Sequence, residues 1–406
     1  MNLSRRDLLE SLGIAAAGAI TAGYSATARG YAANETIRVG CIGTGGRCRT
    51  LMKSLATIPG VEIVAVCDVW DVHLEEGRKL SQPGAFATKD HRALLDRQDL
   101  DAVLIGAPDH QHVPLTVDAC AAGKDVYVEK PLTHDLAEGA KVIAAQNDHR
   151  RVVQVGTQQR SMPHIQQARK IIQSGALGEI HKVHLTWNRN SNRAGRPNLN
   201  IDPKSVDWQR FLGTAPNQPF DEYRFRQWRW FWDFGGGIFT DLMVHWIDVV
   251  HWVLDLDHPT QAASIGDIFH AKDLWETPDT VQTLLKYPER GLQAYFEGTF
   301  VSARNASMCE FMGTEATLYM DRGRYEILPE ARSKLPASQL VLGDGPRGAD
   351  FYKNPDGELL HLANWIECVR SRQKPVCPVE AGVSAASAAH LANTALRTGE
   401  VARWKP

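Results

Sequence analysis

The run Ile37-Arg38-Val39-Gly40-Cys41-Ile42 leads straight into Gly43-Thr44-Gly45-Gly46-Arg47, and this junction limits the fold more than any other stretch. Apolar, β-branched residues closed off by glycine favour a strand. The glycines then permit a tight turn and a close backbone approach to a phosphate at the N-terminus of the next helix, read over Thr50 to Leu55. Val61 to Cys67 repeats the strand pattern and closes on Asp68. Leu100 to Gly106, Asp125 to Glu129 and Val152 to Gly156 follow, with a helix around Thr116 to Ala122. Strands alternating with helices at this spacing predict a doubly wound parallel sheet.

The glycine pattern is incomplete, because Cys48 stands where a third glycine is usual. Asp68 offsets this: it lies about 25 residues past Gly43, where a carboxylate accepts bonds from ribose hydroxyls and repels a 2′-phosphate. The cofactor expected is therefore NAD, with NADP left open. A glycine-rich turn that binds nothing is the plain alternative. Strand context, spacing and acid together favour binding.

At 406 residues the chain should split into two domains. From Ile180 the apolar period changes to two, in His181 to Trp187, Thr280 to Tyr287 and Leu292 to Gly298, as in antiparallel strands with one covered face. The long helix of this part begins near Gly236. Arg189 to Pro203 reads as a loop over the site. Val383 to Thr398 reads as an Ala-rich helix packing back on the first domain. The divisions are 34–157 for a nucleotide-binding domain, 158–380 for a substrate and oligomerisation domain, and 381–406 for the closing helix.

Residues 1–33 stand apart. Ser4-Arg5-Arg6-Asp7-Leu8-Leu9 precedes an Ala/Gly-rich apolar stretch and Ala26-Thr27-Ala28, the layout of a twin-arginine export signal. A periplasmic or extracellular protein that folds before export is the expectation, with no stable membrane insertion once the signal is cleaved. No later run is long enough to span a bilayer. A net charge of −2 gives no reason to expect nucleic acid. Seven cysteines, an odd number, read as buried free thiols and not as a disulfide framework.

Asp241 and His245 lie four residues apart, so a helix presents both on one face. Glu129-Lys130-Pro131 ends a strand of the other domain. An acid, a base and a cation at one cleft suit proton removal from an alcohol as hydride leaves its carbon. Singly, Lys130 reads as a surface lysine and His245 as a satisfied helix histidine. Their joint presence in order changes the balance.

Ile42 to Gly46, Pro108-Asp109-His110-Gln111-His112, Glu129-Lys130-Pro131-Leu132, Val155 to Arg160, and Asp241 with His245 make the chain resemble the Gfo/Idh/MocA oxidoreductase family from about Ile37 to its end. The resemblance implies a Rossmann doubly wound parallel sheet followed by an α/β domain with a large, mostly antiparallel open sheet, which in the family makes homodimer or homotetramer contacts. It implies Lys130, Asp241 and His245 as catalytic residues. It places Gly43, Thr44, Gly45, Gly46, Arg47, Asp68, Pro108, His112, Glu129 and Gln158 at the cofactor, with a structural role equally open for His112. No metal is expected, although Asp109, His110 and His112 look like ligands. Arg160, Asn188, Arg226, Trp228 and Arg229 are weaker candidates for substrate hydroxyls, and the tryptophans around Trp228 serve equally well as core.

Three functions follow. The first is an exported oxidoreductase that moves hydride between a sugar, glycoside or cyclic polyol and a nucleotide that does not dissociate, since free cofactor is scarce outside the cytosol. The second is redox-neutral glycoside cleavage or elimination through transient oxidation, against which the Glu-Lys-Pro triplet argues. The third is a non-catalytic nucleotide- or sugar-binding protein, which has no need of a proton acceptor.

Overall fold

Six parallel strands make the first sheet: β1 Ile37–Ile42, β2 Val61–Cys67, β3 Phe86–Thr88, β4 Ala102–Ile105, β5 Asp125–Val128 and β6 Val153–Val155. The computed structural model describes residues 36–191, 199–343, 345–349 and 356–404. The strand order is β3-β2-β1-β4-β5-β6, so connections run outward in opposite directions from β1 and β4. A crevice opens at the carboxyl ends of these two strands, with Gly43 and Gly106 at its lip. Strand β3 is too short to carry a periodic signal. The first helix, Gly46–Leu55, starts four residues before the expected Thr50, directly on the glycine turn.

Among the described residues the second sheet has nine strands: β7 Ile180–Asn188, β8 Gln261–Asp267, β9 Thr280–Tyr287, β10 Leu292–Thr299, β11 Ser307–Gly313, β12 Ala316–Met320, β13 Arg324–Pro329, β14 Ser338–Val341 and β15 Ala402–Arg403. The sheet is ordered β14-β13-β12-β11-β7-β10-β9-β8-β15. Its central strand β7, Ile180–Asn188, runs parallel to β10, Leu292–Thr299; the other pairings are antiparallel. In β9, Thr280–Tyr287, Val281, Thr283, Leu285 and Tyr287 point inward while Gln282, Leu284 and Lys286 face solvent. The expected α/β architecture, a Rossmann sheet followed by a mostly antiparallel one, is thus what the chain adopts. Helices Pro163–Gln173, Val244–Leu254 and Val379–Thr398 cover the inner face, sharing a core with Trp187, Trp230 and Trp246.

Two helices connect the lobes differently from expectation. Gly357–Ser371, which the sequence pattern did not single out, packs on the first domain. Its Leu362, Trp365 and Ile366 join Leu51, Met52 and Val39 in one buried cluster. Val379–Thr398 lies between the lobes: Val379 belongs to the core of the first sheet, while Ala388, Leu391 and Ala392 belong to that of the second. All seven cysteines are buried and unpaired. No helix among the described residues is long and apolar enough to cross a membrane. The expected export signal, 1–33, and residues 192–198 of the expected loop lie outside the described residues.

Candidate active site

Three consecutive glycines, Gly235 to Gly237, bring the chain into the interlobe crevice. A Cβ at Gly235 would come within 3.0 Å of the Arg229 backbone, and Gly237 has φ +65°. The helix that follows opens with a widened i→i+5 turn over Phe239–Met243 and continues as a regular helix over Val244–Leu254. Asp241 lies in the widened turn and His245 just beyond it. Both line a cavity of about 340 Å³ together with Lys130, delivered by the end of β5. The three predicted catalytic residues do converge.

Lys130 Nζ donates to the Asp241 carbonyl oxygen at 2.6 Å and to its carboxylate at 3.0 Å. Arg229 Nε donates to the same carboxylate oxygen at 3.2 Å, and its guanidinium lies 4.1 Å from the Trp228 ring. The His245 ring is buried beside Trp187, with centroids 5.0 Å apart, and its Nδ1 has no protein partner. Burial first, then the charges of Lys130 and Arg322, hold its pKa well below the usual imidazole value. The ring is therefore neutral at physiological pH and free to accept a proton.

Behind this cluster Arg47 Nε donates to Glu129 at 2.9 Å, and Arg47 also pairs with Glu358. Burial opposes the Arg47 charge, but Glu129, Tyr127 and Glu358 raise its pKa above the ordinary value. Gln158 lines the cavity with its Oε1 unpartnered. Asp109 lines it as well; burial pushes its carboxyl up to about 8 despite Lys130 and Arg229 nearby. His112 is held structurally, Nδ1 at 2.6 Å from the Pro131 oxygen and Nε2 at 2.8 Å from that of Ala107, and burial lowers its pKa to about 4.

The small cavity continues into one of about 840 Å³ through shared walls at Arg47, Gly106, Ala107, Trp228 and Arg229. Gly43, Gly45, Gly46, Asp68 and Pro108 line the larger space. Gly43 has φ +76°, and a Cβ there would sit 2.6 Å from the Ala107 backbone, so only glycine fits. Helix Gly46–Leu55 begins without a side-chain cap and without an acid in its first turn, leaving its N–H groups to an anion. Asp68 accepts from the Trp70 amide at 2.9 Å, with its second oxygen 3.5 Å from Thr44 Oγ1 and 3.7 Å from His73 Nδ1. These residues fit a dinucleotide, with Asp68 at the ribose end.

Several weaker expectations need correction. Arg160 is not a substrate ligand: it is buried in a two-pronged pair with Asp248, at 2.8 and 2.8 Å. Asn188 turns away to the Arg304 oxygen at 2.7 Å. Arg226 lines the nucleotide cavity instead, 2.9 Å from His73 Nε2. Thr44 is wholly buried and its hydroxyl bonds the His73 oxygen at 2.8 Å, so its side chain serves the turn and not a ligand. His110 bonds the Phe211 oxygen at 2.7 Å. Sequence reasoning missed Trp187, Arg189 and Arg322 in the cavity wall, since no motif marks them. Among the described residues no group of three or more His, Cys, Asp and Glu could hold a metal ion.

Residues 37–157 match the oxidoreductase family model with an NAD-binding Rossmann fold, and residues 165–319 match the GFO/IDH/MocA C-terminal domain. An uncharacterized oxidoreductase of Bacillus subtilis is 22% identical over 370 residues, covering 90% of this chain and 96% of that one. An inositol 2-dehydrogenase of Salmonella typhimurium is 29% identical over 227 residues, 55% of this chain and 56% of its own. The structure of a levoglucosan dehydrogenase in complex with NADH shares the fold, with a TM-score of 0.70 at 17% identity over 90% of this chain and 98% of the other.

Proposed function

Because the chain belongs to the GFO/IDH/MocA family of NAD-binding oxidoreductases, we propose that it moves hydride between a hydroxyl-bearing carbon of a sugar, glycoside or cyclic polyol and NAD. The observation that carries this reading is the convergence of Lys130, Asp241 and His245 on a cavity continuous with the glycine-lined crevice. A nicotinamide dinucleotide bound along that crevice supplies the hydride acceptor.

The chain's own residues do the rest. Lys130 points its ammonium at the substrate oxygen and stabilises the negative charge that develops there. The neutral His245 ring takes the hydroxyl proton, leaving a carbonyl on the substrate carbon as its C–H bond breaks. Asp241 fixes the lysine from two sides and offsets the positive charge gained by the imidazole. Trp187 shields His245 from water on one flank. The names of two relatives, an inositol 2-dehydrogenase and a levoglucosan dehydrogenase, support a carbohydrate or polyol substrate.

The nucleotide is proposed to stay bound through export by the twin-arginine route. The cover over the crevice supports retention: Arg210 of the second domain pairs with Asp90 at 2.9 Å, and Lys89 bonds the Ser205 oxygen at 2.9 Å. The outer face of the nine-stranded sheet, with Ile265, Leu284, Leu328 and Val341 exposed, supports a homodimer or homotetramer.

The test begins with denaturing the purified protein and identifying any released nucleotide. Candidate polyols and glycosides are then added while reduced nicotinamide is followed at its absorbance band. Absence of bound NAD together with no binding on addition would sink the proposal. So would wild-type turnover by Lys130→Ala and His245→Ala.

A further inference from the structure

Building on the hydride-transfer reading, we propose that Asp109 and Gln158 are specificity residues that hold the two hydroxyls flanking the reacting one, so that the substrate carries three hydroxyls on consecutive ring carbons. The first lobe presents the side chains in a row. Strands β4, β5 and β6 are neighbours in the parallel sheet, with Ile105 beside Val128 and Val128 beside Val155. Past the carboxyl ends of these strands the chain delivers Asp109, Lys130 and Gln158 in turn. All three line the smaller cavity. Adjacent strands lie about 4.8 Å apart, so side chains leaving their ends can reach neighbouring oxygens of one small ring.

Lys130 is already committed, to Asp241 and to the reacting oxygen. Its two neighbours are not. Asp109 is 4% exposed and Gln158 5%. The Asp109 carboxyl makes no hydrogen bond to any described residue, and Gln158 Oε1 has no partner. Buried polar groups in folded proteins are nearly always paired, so two unpaired ones at a cavity wall call for a ligand. Burial pushes the Asp109 carboxyl up to about 8, which leaves it mostly protonated at neutral pH. It then has an O–H to donate and an oxygen to accept, and the Gln158 amide offers the same two functions. Both match a neutral hydroxyl, which also donates and accepts.

The nucleotide does not account for the pair, since neither residue lines the glycine-lined crevice, whereas Arg47 lines both spaces. Proton removal does not account for it either, because Lys130, Asp241 and His245 complete that step between them. What remains is selection among substrates. A ring that lacks a flanking hydroxyl leaves a buried polar side chain without a partner, and a site built this way rejects it.

The test uses the full chain loaded with NAD and three parent probes, myo-inositol, methyl β-D-glucopyranoside and methyl β-D-galactopyranoside, each beside its monodeoxy derivatives. Calorimetry reads binding, nicotinamide absorbance reads hydride transfer, and NMR of the product locates the oxidised carbon. For at least one parent, removing either hydroxyl next to that carbon should weaken binding about tenfold or more. Asp109→Ala should abolish the penalty at one flanking position and Gln158→Ala at the other, with NAD affinity unchanged. A merely structural role would weaken parent and derivatives alike and leave both penalties in place. Asp109→Asn, which keeps an N–H donor, should retain the penalty and guards against a variant that fails to fold. No parent binding, flanking deoxy derivatives binding as well as their parents, or variants that leave the penalties untouched would each overturn the inference. Parents that bind with penalties at two positions flanking a third, yet pass no hydride, would defeat the dehydrogenase reading and leave the hydroxyl contacts standing. Hydride transfer without such penalties would do the reverse.

Discussion

Lys130 grips Asp241 twice, once through the main-chain oxygen and once through the carboxylate. The two contacts differ in what a substitution removes. Asp241→Asn keeps the carbonyl anchor and loses only the charge, so kcat should fall about 10- to 100-fold with KM nearly unchanged. Lys130→Ala removes the cation itself, and kcat should fall about 1,000-fold, within the range for a positioned acid–base group. Single-turnover reduction of bound NAD checks both, and equal losses would contradict the division of roles.

The neutral state of His245 sets the acid limb of the pH profile. Burial and the adjacent cations depress its pKa, so kcat/KM should hold constant through pH 6.5 and decline only well below it. Asp109 sets the other limb: its carboxyl ionises near 8 and then offers Lys130 a competing partner. Activity should drop above that pH in the wild type, and Asp109→Asn should remove the drop. A profile unchanged by this substitution would separate Asp109 from the chemistry.

Asp68 should govern the choice of nucleotide. Asp68→Ala removes the carboxylate at the ribose end, so affinity for NAD should weaken about tenfold while affinity for NADP improves. Fluorescence titration of both nucleotides reads the ratio, and an unchanged ratio would remove Asp68 from discrimination.

Stability should fall steeply in mild acid. Burial lowers the pKa of His110, His112, His361 and His390 to about 4, that of His251 to about 3, and that of His245 as well. Folded-state pKa values below the unfolded one mean that the unfolded chain takes up protons the native state refuses. The stabilisation is complete above about pH 6.5 and erodes as pH falls toward 4, by about 1.4 kcal/mol per histidine for each pH unit. Urea midpoints measured from pH 7 to 4.5 test this, and a flat series would contradict it.

Arg160→Gln should separate fold from site. It strands the Asp248 carboxylate, which is wholly buried, and should cost about 3 kcal/mol. The folded fraction should keep the wild-type KM, because Arg160 does not line the cavity.

The glycine turn, the strand succession and the pairing of Asp241 with His245 were legible because each is a local pattern: a turn, a period, a four-residue spacing. Lys130, 111 positions before Asp241, was joined to them only by the family resemblance. Arg160 misled because its partner lies 88 positions away and only the folded chain reveals that the guanidinium is satisfied. Arg47 was legible as a neighbour of the glycines, but its pairing with Glu129, 82 positions on, was not. Arg322 follows strand β12, Ala316–Met320, in a turn whose sequence carries no motif. Helix Gly357–Ser371 escaped notice although Asp356 caps it, accepting from the Leu359 amide at 3.0 Å. Its apolar residues answer a surface laid down some three hundred positions earlier.

Trp365 and its neighbours therefore bear on how the protein is made. A nascent chain that has emerged through residue 340 already displays the glycine turn and all six parallel strands, yet the layer that seals them is still inside the ribosome. The nucleotide lobe can close only after helix Gly357–Ser371 has left the ribosome. Truncation before Gly357 would leave Val39, Leu51 and Met52 uncovered and disable the first lobe as surely as the second.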